Sequence, residues 1–250
     1  VGAVAARELR SLFLSPLAWT VLAVVQGILG YLFLLQIDLF MQVQPRLAAV
    51  PGAPGLTAVV VTPVLQSAGV VLLLVVPLLT MRLLAEERRS GTLTLLLSAP
   101  VSMTQIVLGK YLAIVAFFAC TLALTTLMVL TLLLGGTLDF GLLAAGLLGL
   151  ALLVASFAAA GLFLSSLTTQ PVIAAVSTFG LLLLLWLLDW AAGTGSGRVA
   201  DALSYLSLLT HYGALLKGVF DSKDVAYYLL FSATFVALSI RRLDSDRLQR

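Results

Sequence analysis

The sequence predicts an all-α, polytopic membrane protein with about six transmembrane helices, an interfacial N-terminal helix and a re-entrant element before the last helix. Three observations predict it. Of the 250 residues, 61% are hydrophobic and only 10% charged, with a mean hydropathy of +1.15, far from the usage of soluble domains. Apolar runs long enough to cross a bilayer follow one another, and short polar stretches separate them. Spans consume nearly the whole length, so one membrane domain over 1–250 is expected, with no separate soluble domain. The net charge of +3 is spread among loops, which sets topology and does not point to nucleic acid. The single Cys120 leaves no intrachain disulfide and no cysteine-based metal site.

The first fourteen residues set Val4, Leu9, Leu12 and Phe13 against Arg7, Glu8, Arg10 and Ser11, the pattern of an amphipathic helix lying in the interface. The first apolar run, which follows Arg7 and Arg10, is too long for the core of a cleavable signal and lacks a small-residue cleavage site before the next polar segment, so no cleavable signal is expected. Ser15-Pro16 is an N-cap with proline at the first helical position. It opens a first span from Leu17 to about Phe40. Gln42 to Pro63 contains Pro45, Pro51, Gly52, Pro54 and Gly55, so it is expected to be irregular. The second span covers Val64 to Met81 and begins earlier, near Ala58, with Pro63 and Pro77 as kinks or local breaks.

Polar residues then concentrate. Glu86, Glu87, Arg88 and Arg89 stand together between two apolar helices, and charge on that scale must be in water. If the helix continues past the span, Arg82 with Glu86 and Glu86 with Arg89 share a face and can pair. Gly91 ends that helix. Ser90 and Thr92 flank it, and a short amphipathic helix with Leu93, Leu96 and Leu97 on one stripe is expected before Pro100. Ser102 and Gln105 have capping-box spacing and start the third span, Ile106 to Leu134. An ordinary solvated loop is the plain alternative for this stretch.

Asp139 can cap the fourth span, Phe140 to Leu164. There Gly141, Ala145 and Gly149, then Ala151, Ala155 and Ala159, recur every four residues and favour close helix packing in lipid. Pro171 starts the fifth span, Val172 to Trp190, whose outer end carries Trp186, Asp189 and Trp190. Leu203 to Phe220 is apolar yet broken by Ser204, Ser207, His211 and Lys217, which suits a re-entrant or interfacial element. A last span, Val225 to Ile240, precedes a polar tail, 241–250.

The stretch from Glu86 to Ala113, "EERRSGTLTLLLSAPVSMTQIVLGKYLA", resembles the first cytoplasmic loop of ABC type-2 transporter permeases. In it an acidic-basic cluster precedes Gly-Thr-Leu, a proline, and a Gly-Lys that opens the next span. Arg7-Glu8, Ser11, Phe13, Ser15-Pro16, Ala18 and Gly30 resemble the gliding-motility-type (GldF-like) branch. His211-Tyr212, Lys217-Gly218, Asp221 and Asp224-Val225 resemble the segment before the last helix of the wider family. The resemblance implies that 86–102 is a coupling loop, with Arg82, Glu86, Glu87, Arg88, Arg89, Ser90, Gly91, Thr92, Leu93, Leu96, Leu97 and Pro100 contacting a cytosolic ABC ATPase. It makes Arg7, Glu8 and Arg10 part of an interfacial elbow. It also implies a second permease copy or homologous permease, a companion membrane protein with an extracytoplasmic domain, and contact with membrane lipid.

Charge gives an independent topology. With about six alternating spans, Arg7, Arg10, Arg82, Arg88, Arg89, Lys110, Arg241, Arg242, Arg247 and Arg250 fall on the N-terminal side. Arg46, Arg198, Lys217 and Lys223 fall on the other. The positive-inside rule then places both termini and the 86–102 loop in the cytosol, as expected for a bacterial inner membrane protein. No phosphate-binding GxxxxGK[ST] is present, so ATP and magnesium are expected on the partner chain, with no cofactor in this one. Every Asp, Glu, Lys and Arg is expected at or outside a span end, unlike an ion-coupled carrier. An ATP-independent carrier or channel would have to use Gln26, Gln66, Thr125 and Thr126. A membrane scaffold is a further alternative. His211, the sole histidine, is expected to be a hydrogen-bonded structural residue rather than a proton shuttle.

Overall fold

The computed structural model describes residues 1–47, 54–92, 102–194 and 204–248, and the described residues are helical, without strands. Helix α1 is Gly2–Leu14 and α2 is Pro16–Leu47. A π turn, Thr57–Val61, leads into α3, Thr62–Thr80. Helix α4 is Ala85–Ser90 and α5 is Met103–Leu130, extended by a 3-10 turn at Thr131–Leu134. Then follow α6, Phe140–Leu167, α7, Pro171–Thr194, α8, Leu208–Leu216, and α9, Ser222–Leu248. Six segments are long and apolar enough to cross a membrane: α2, the stretch from the π turn through α4, α5 with its 3-10 turn, α6, α7 and α9. The chain is a multi-pass membrane protein.

Local signals place most boundaries. Ser102 Oγ accepts from the Gln105 amide at 3.2 Å and caps α5. Asp139 Oδ1 accepts from the Gly141 and Leu142 amides at 2.9 and 3.1 Å and caps α6. Two expected ends moved outward. Helix α2 passes Phe40 and carries Pro45 in its last turns, supported by a Gln42 to Asp38 side-chain bond at 2.8 Å, so the irregular region begins later than expected. The final helix does not stop at Ile240. Leu243 is fully buried, and Arg242 lies 3.6 Å from Asp246 one turn on, so the tail continues as amphipathic helix through Leu248. The last helix is therefore longer than the expected span.

Helix α6 is the centre. In its most apolar window 61% of residues are buried, against 17% in α7 and 22% in α2 and α9. It packs on α3, α5, α7, α8 and α9. Small residues allow this, though not all those whose spacing suggested it. Gly149 faces Leu215 and Tyr212 of α8, and Ala159 is fully buried, but Gly141 and Ala151 are exposed. The tightest approach is at Gly161, where an added Cβ would lie 2.2 Å from Thr80 Oγ1 and 2.7 Å from Thr80 Cβ on α3.

Helix α8 packs inside the bundle. Gly149, its neighbour on α6, is ten residues beyond the Asp139 cap, or about 15 Å along the helix. Tyr212 Oη donates to the Leu65 carbonyl at 2.6 Å. His211 Nδ1 lies 2.6 Å from Asp224 Oδ1 of α9, Nε2 lies 3.0 Å from the Tyr205 carbonyl, and Tyr227 stacks on the ring at 4.1 Å. The histidine thus joins α8 to α9.

Gly161→Ala is expected to lower stability by about 1–3 kcal/mol, the usual penalty of overpacking, read as a lower Tm by thermal size-exclusion chromatography in detergent. Unchanged Tm would contradict the close approach of α3 and α6.

Candidate functional site

The site lies at the end of the bundle that holds α1, α4, the start of α5 and the end of α9. The apolar helix does not simply run on into the charged cluster, as the sequence suggested. Helix α3 stops at Thr80, residues 81–84 form a turn, and α4 begins at Ala85. A side chain from α6 explains the break. Ser165 Oγ accepts from the Leu84 and Ala85 amides at 3.1 and 3.0 Å and donates to the Met81 carbonyl at 3.0 Å. It thereby satisfies backbone groups that a broken helix otherwise leaves unpaired in a buried place. Gly91 ends α4 in the left-handed region, at φ 73°, where glycine carries no Cβ penalty.

Three distant segments meet at Lys110. Its side chain is 1% exposed, and Nζ lies 2.9 Å from Glu8 Oε1 on α1 and 2.7 Å from Glu87 Oε1 on α4. One ammonium thus holds two carboxylates from opposite ends of the chain's first half. Helix α1 reaches it by packing Leu9, Leu12 and Phe13 against the core. Phe13 lies 5.5 Å from Phe117 of α5, centroid to centroid, and Trp19 Nε1 donates to the Phe13 carbonyl at 2.7 Å, fixing the corner into α2. The expected apolar face of α1 therefore lies largely on protein. On the other side of α4, Arg88 is paired with Asp246 of α9, which also faces Arg242.

The expected site residues divide clearly. Glu87 and Arg88 tie α4 to other helices, and Glu8 ties in α1. Arg82 and Glu86 do approach, at 3.8 Å, but Arg82 sits in the turn and the pair is solvent-exposed, so its contribution is small. Glu86 and Arg89 do not pair, and Arg89 makes no ion pair among the described residues. Arg7 reaches only its neighbour Glu8, at 3.2 Å, while Arg10 is exposed. Ser90 Oγ lies 2.8 Å from Thr92 Oγ1 just past the helix. Leu93, Leu96, Leu97 and Pro100, with the short amphipathic helix, lie outside the described residues.

Lys110 corrects the reading that every charge sits at or beyond a span end, for it is the eighth residue of α5 and buried. Asp224, at the start of α9, is buried as well. Asp246 and Ser165 were also missed as site residues. A lone lysine inside an apolar run was the available signal for Lys110, since such a charge requires partners. Of the four polar groups a carrier would need, Gln66 is exposed and the other three are hydrogen-bonded internally. Gln26 Nε2 donates to the Thr121 carbonyl at 2.9 Å and lies 3.3 Å from Thr125 Oγ1, and Thr126 Oγ1 donates to the Leu122 carbonyl at 2.8 Å.

A recess of about 380 Å³ opens between α1, α3, α4 and α5, lined in part by Glu8, Arg82, Glu86, Glu87, Thr92 and Lys110. Among the described residues no three potential metal ligands converge. The arrangement is suited to transmitting force: a displacement of α4 reaches α1 and α5 through Lys110, α9 through Arg88, and α6 through Ser165.

The model of the ABC-2 family transporter protein matches residues 4–245. No curated protein matches the chain.

Lys110→Met is expected to cost about 3 kcal/mol, because it strands two largely buried carboxylates side by side. Adding Glu87→Gln should recover part of this, as a lower and then partly restored Tm. Equal Tm in all three proteins would contradict the knot. Ser165→Ala, which leaves two buried amides without an acceptor, should cost about 1–3 kcal/mol in the same assay.

Proposed function

Because the chain belongs to the ABC-2 transporter family, we propose that it is the permease subunit of an ATP-driven exporter, moved by a separate cytosolic ABC ATPase that binds ATP and magnesium. The ATPase docks on α4 and the 93–101 stretch that follows it. The observation that carries this reading is the set of buried ties on α4. A solvated loop has no need of a lysine buried in a span, or of an arginine held by the last helix. A docking element must pass its displacement to the spans.

In this reading, closure of two ATPases on ATP moves α4. Lys110 transfers the motion to α5 and α1, Arg88 transfers it to α9, and Ser165 keeps the hinge at 81–84 in register with α6. Rigid-body rocking of the spans then alternates access to a path between two permeases. The second permease, a copy or a homologue, is placed against the large uncovered apolar face of α2. The positive-inside bias supports a cytosolic location for both termini and α4, in a bacterial inner membrane. The gliding-motility-type likeness of the N-terminal residues favours a companion membrane protein with an extracytoplasmic domain.

A tagged protein purified gently from its own membranes should bring an ABC ATPase with it, identified by mass spectrometry, and Gly91→Pro with Leu93→Asp should lose it. Absence of any ATPase from the native preparation, or equal recovery with the variant, would sink the proposal.

A further inference from the structure

Two adjoining recesses lie between α4 and the start of α7. One, of about 510 Å³, is lined by Arg88, Arg89, Thr169, Gln170, Pro171 and Val172. The other, of about 440 Å³, shares Arg89, Pro171 and Val172 and adds Arg82, Glu86 and Ser90. Their charge is unbalanced. Glu86 faces Arg82 and Asp246 faces Arg88, but among the described residues Arg89, common to both recesses, has no carboxylate, and Arg88 Nε is buried without an acceptor. The first turn of α7, a 24-residue helix, adds the partial positive charge of its N-terminus. Everything uncompensated there calls for an anion.

What lies beside the recesses identifies its source. Val172 is 69% exposed, and Ile173, Val176, Leu184 and Leu187 continue the uncovered apolar surface of α7 along the span. A cationic recess at the end of a lipid-facing helix has the two halves of a phospholipid site. We propose that an anionic phospholipid binds here, its phosphate against Arg89 and Arg88 at the α7 N-terminus and its acyl chains along Val172, Val176 and Leu184. A single arginine near a membrane surface adds attraction for acidic lipid. The lipid stands between α4 and α7, two elements with few other ties. It steadies the face of α4 that the ion pairs leave open. The site does not depend on the ATPase assignment, and its test contains no ATPase.

The test uses the full chain in nanodiscs of phosphatidylcholine containing one-fifth phosphatidylglycerol, with native mass spectrometry reading the lipid retained after release. The expected result is selective retention of phosphatidylglycerol, reduced about fivefold in Arg89→Gln and unchanged in Arg10→Gln. Val172→Trp, which obstructs the chain track without altering charge, should also lower retention, and it serves where the arginine variant fails to fold. Equal retention of both lipids, or undiminished phosphatidylglycerol in well-folded Arg89→Gln and Val172→Trp, overturns the proposal. So does undiminished lipid accompanied by loss of a co-purifying protein in Arg89→Gln, which would assign the recess to an acidic side chain of a partner.

Discussion

A single buried ammonium sets the geometry of one end of this protein. Lys110 enters an apolar helix with a charge that cannot stay unpaired there, and its two carboxylate partners come from α1 and α4. Each of those helices is short and would hold its place poorly alone. Helix α1 has no fully buried residue, and α4 has six residues, too few to be stable as an isolated helix. The shared lysine makes them parts of the span.

The second constraint is the closeness of α3 and α6. Only a glycine at 161 admits Thr80, and that approach brings Ser165, one turn later on α6, to the broken backbone at 81–84. The hinge and the clamp on it thus follow from one packing contact. With Arg88 held by α9, the charged segment is linked to four helices, whereas a loop between spans ordinarily belongs to none. Permease function in the ABC-2 family gives this linkage a use, since motion delivered at the surface must become motion of the spans.

Much of the fold was legible because its signals are local. Pro16 and Pro171 at helix starts, the Ser102 and Asp139 caps and the Gly91 stop need only neighbours within a few residues. So did the six apolar runs. The amphipathic pattern of α1 was visible, but not that its apolar side would rest on α5. The tail after Ile240 read as polar because Leu243 is one apolar residue among charges, and only packing shows that it is buried. The site was half legible. Glu87, Arg88 and Glu8 stood out as charges, but nothing in their spacing shows that Glu8 and Lys110, 102 residues apart, share a hydrogen bond. Helical spacing also suggested an Arg82, Glu86 and Arg89 ladder, of which the exposed Arg82 and Glu86 pair forms at 3.8 Å while Glu86 and Arg89 do not pair. Tertiary contacts decided where local rules left several pairings open.

The central claim is that α4 is rigidly joined to the spans through Lys110. Spin labels at Arg10→Cys on α1 and Ser90→Cys on α4, both exposed positions, in a Cys120→Ser background, allow the distance between the two helices to be measured by pulsed electron resonance. The account predicts one narrow distance distribution that becomes broad when Lys110 is replaced by methionine. A broad distribution in the native protein, or an equally narrow one without the lysine, would contradict it.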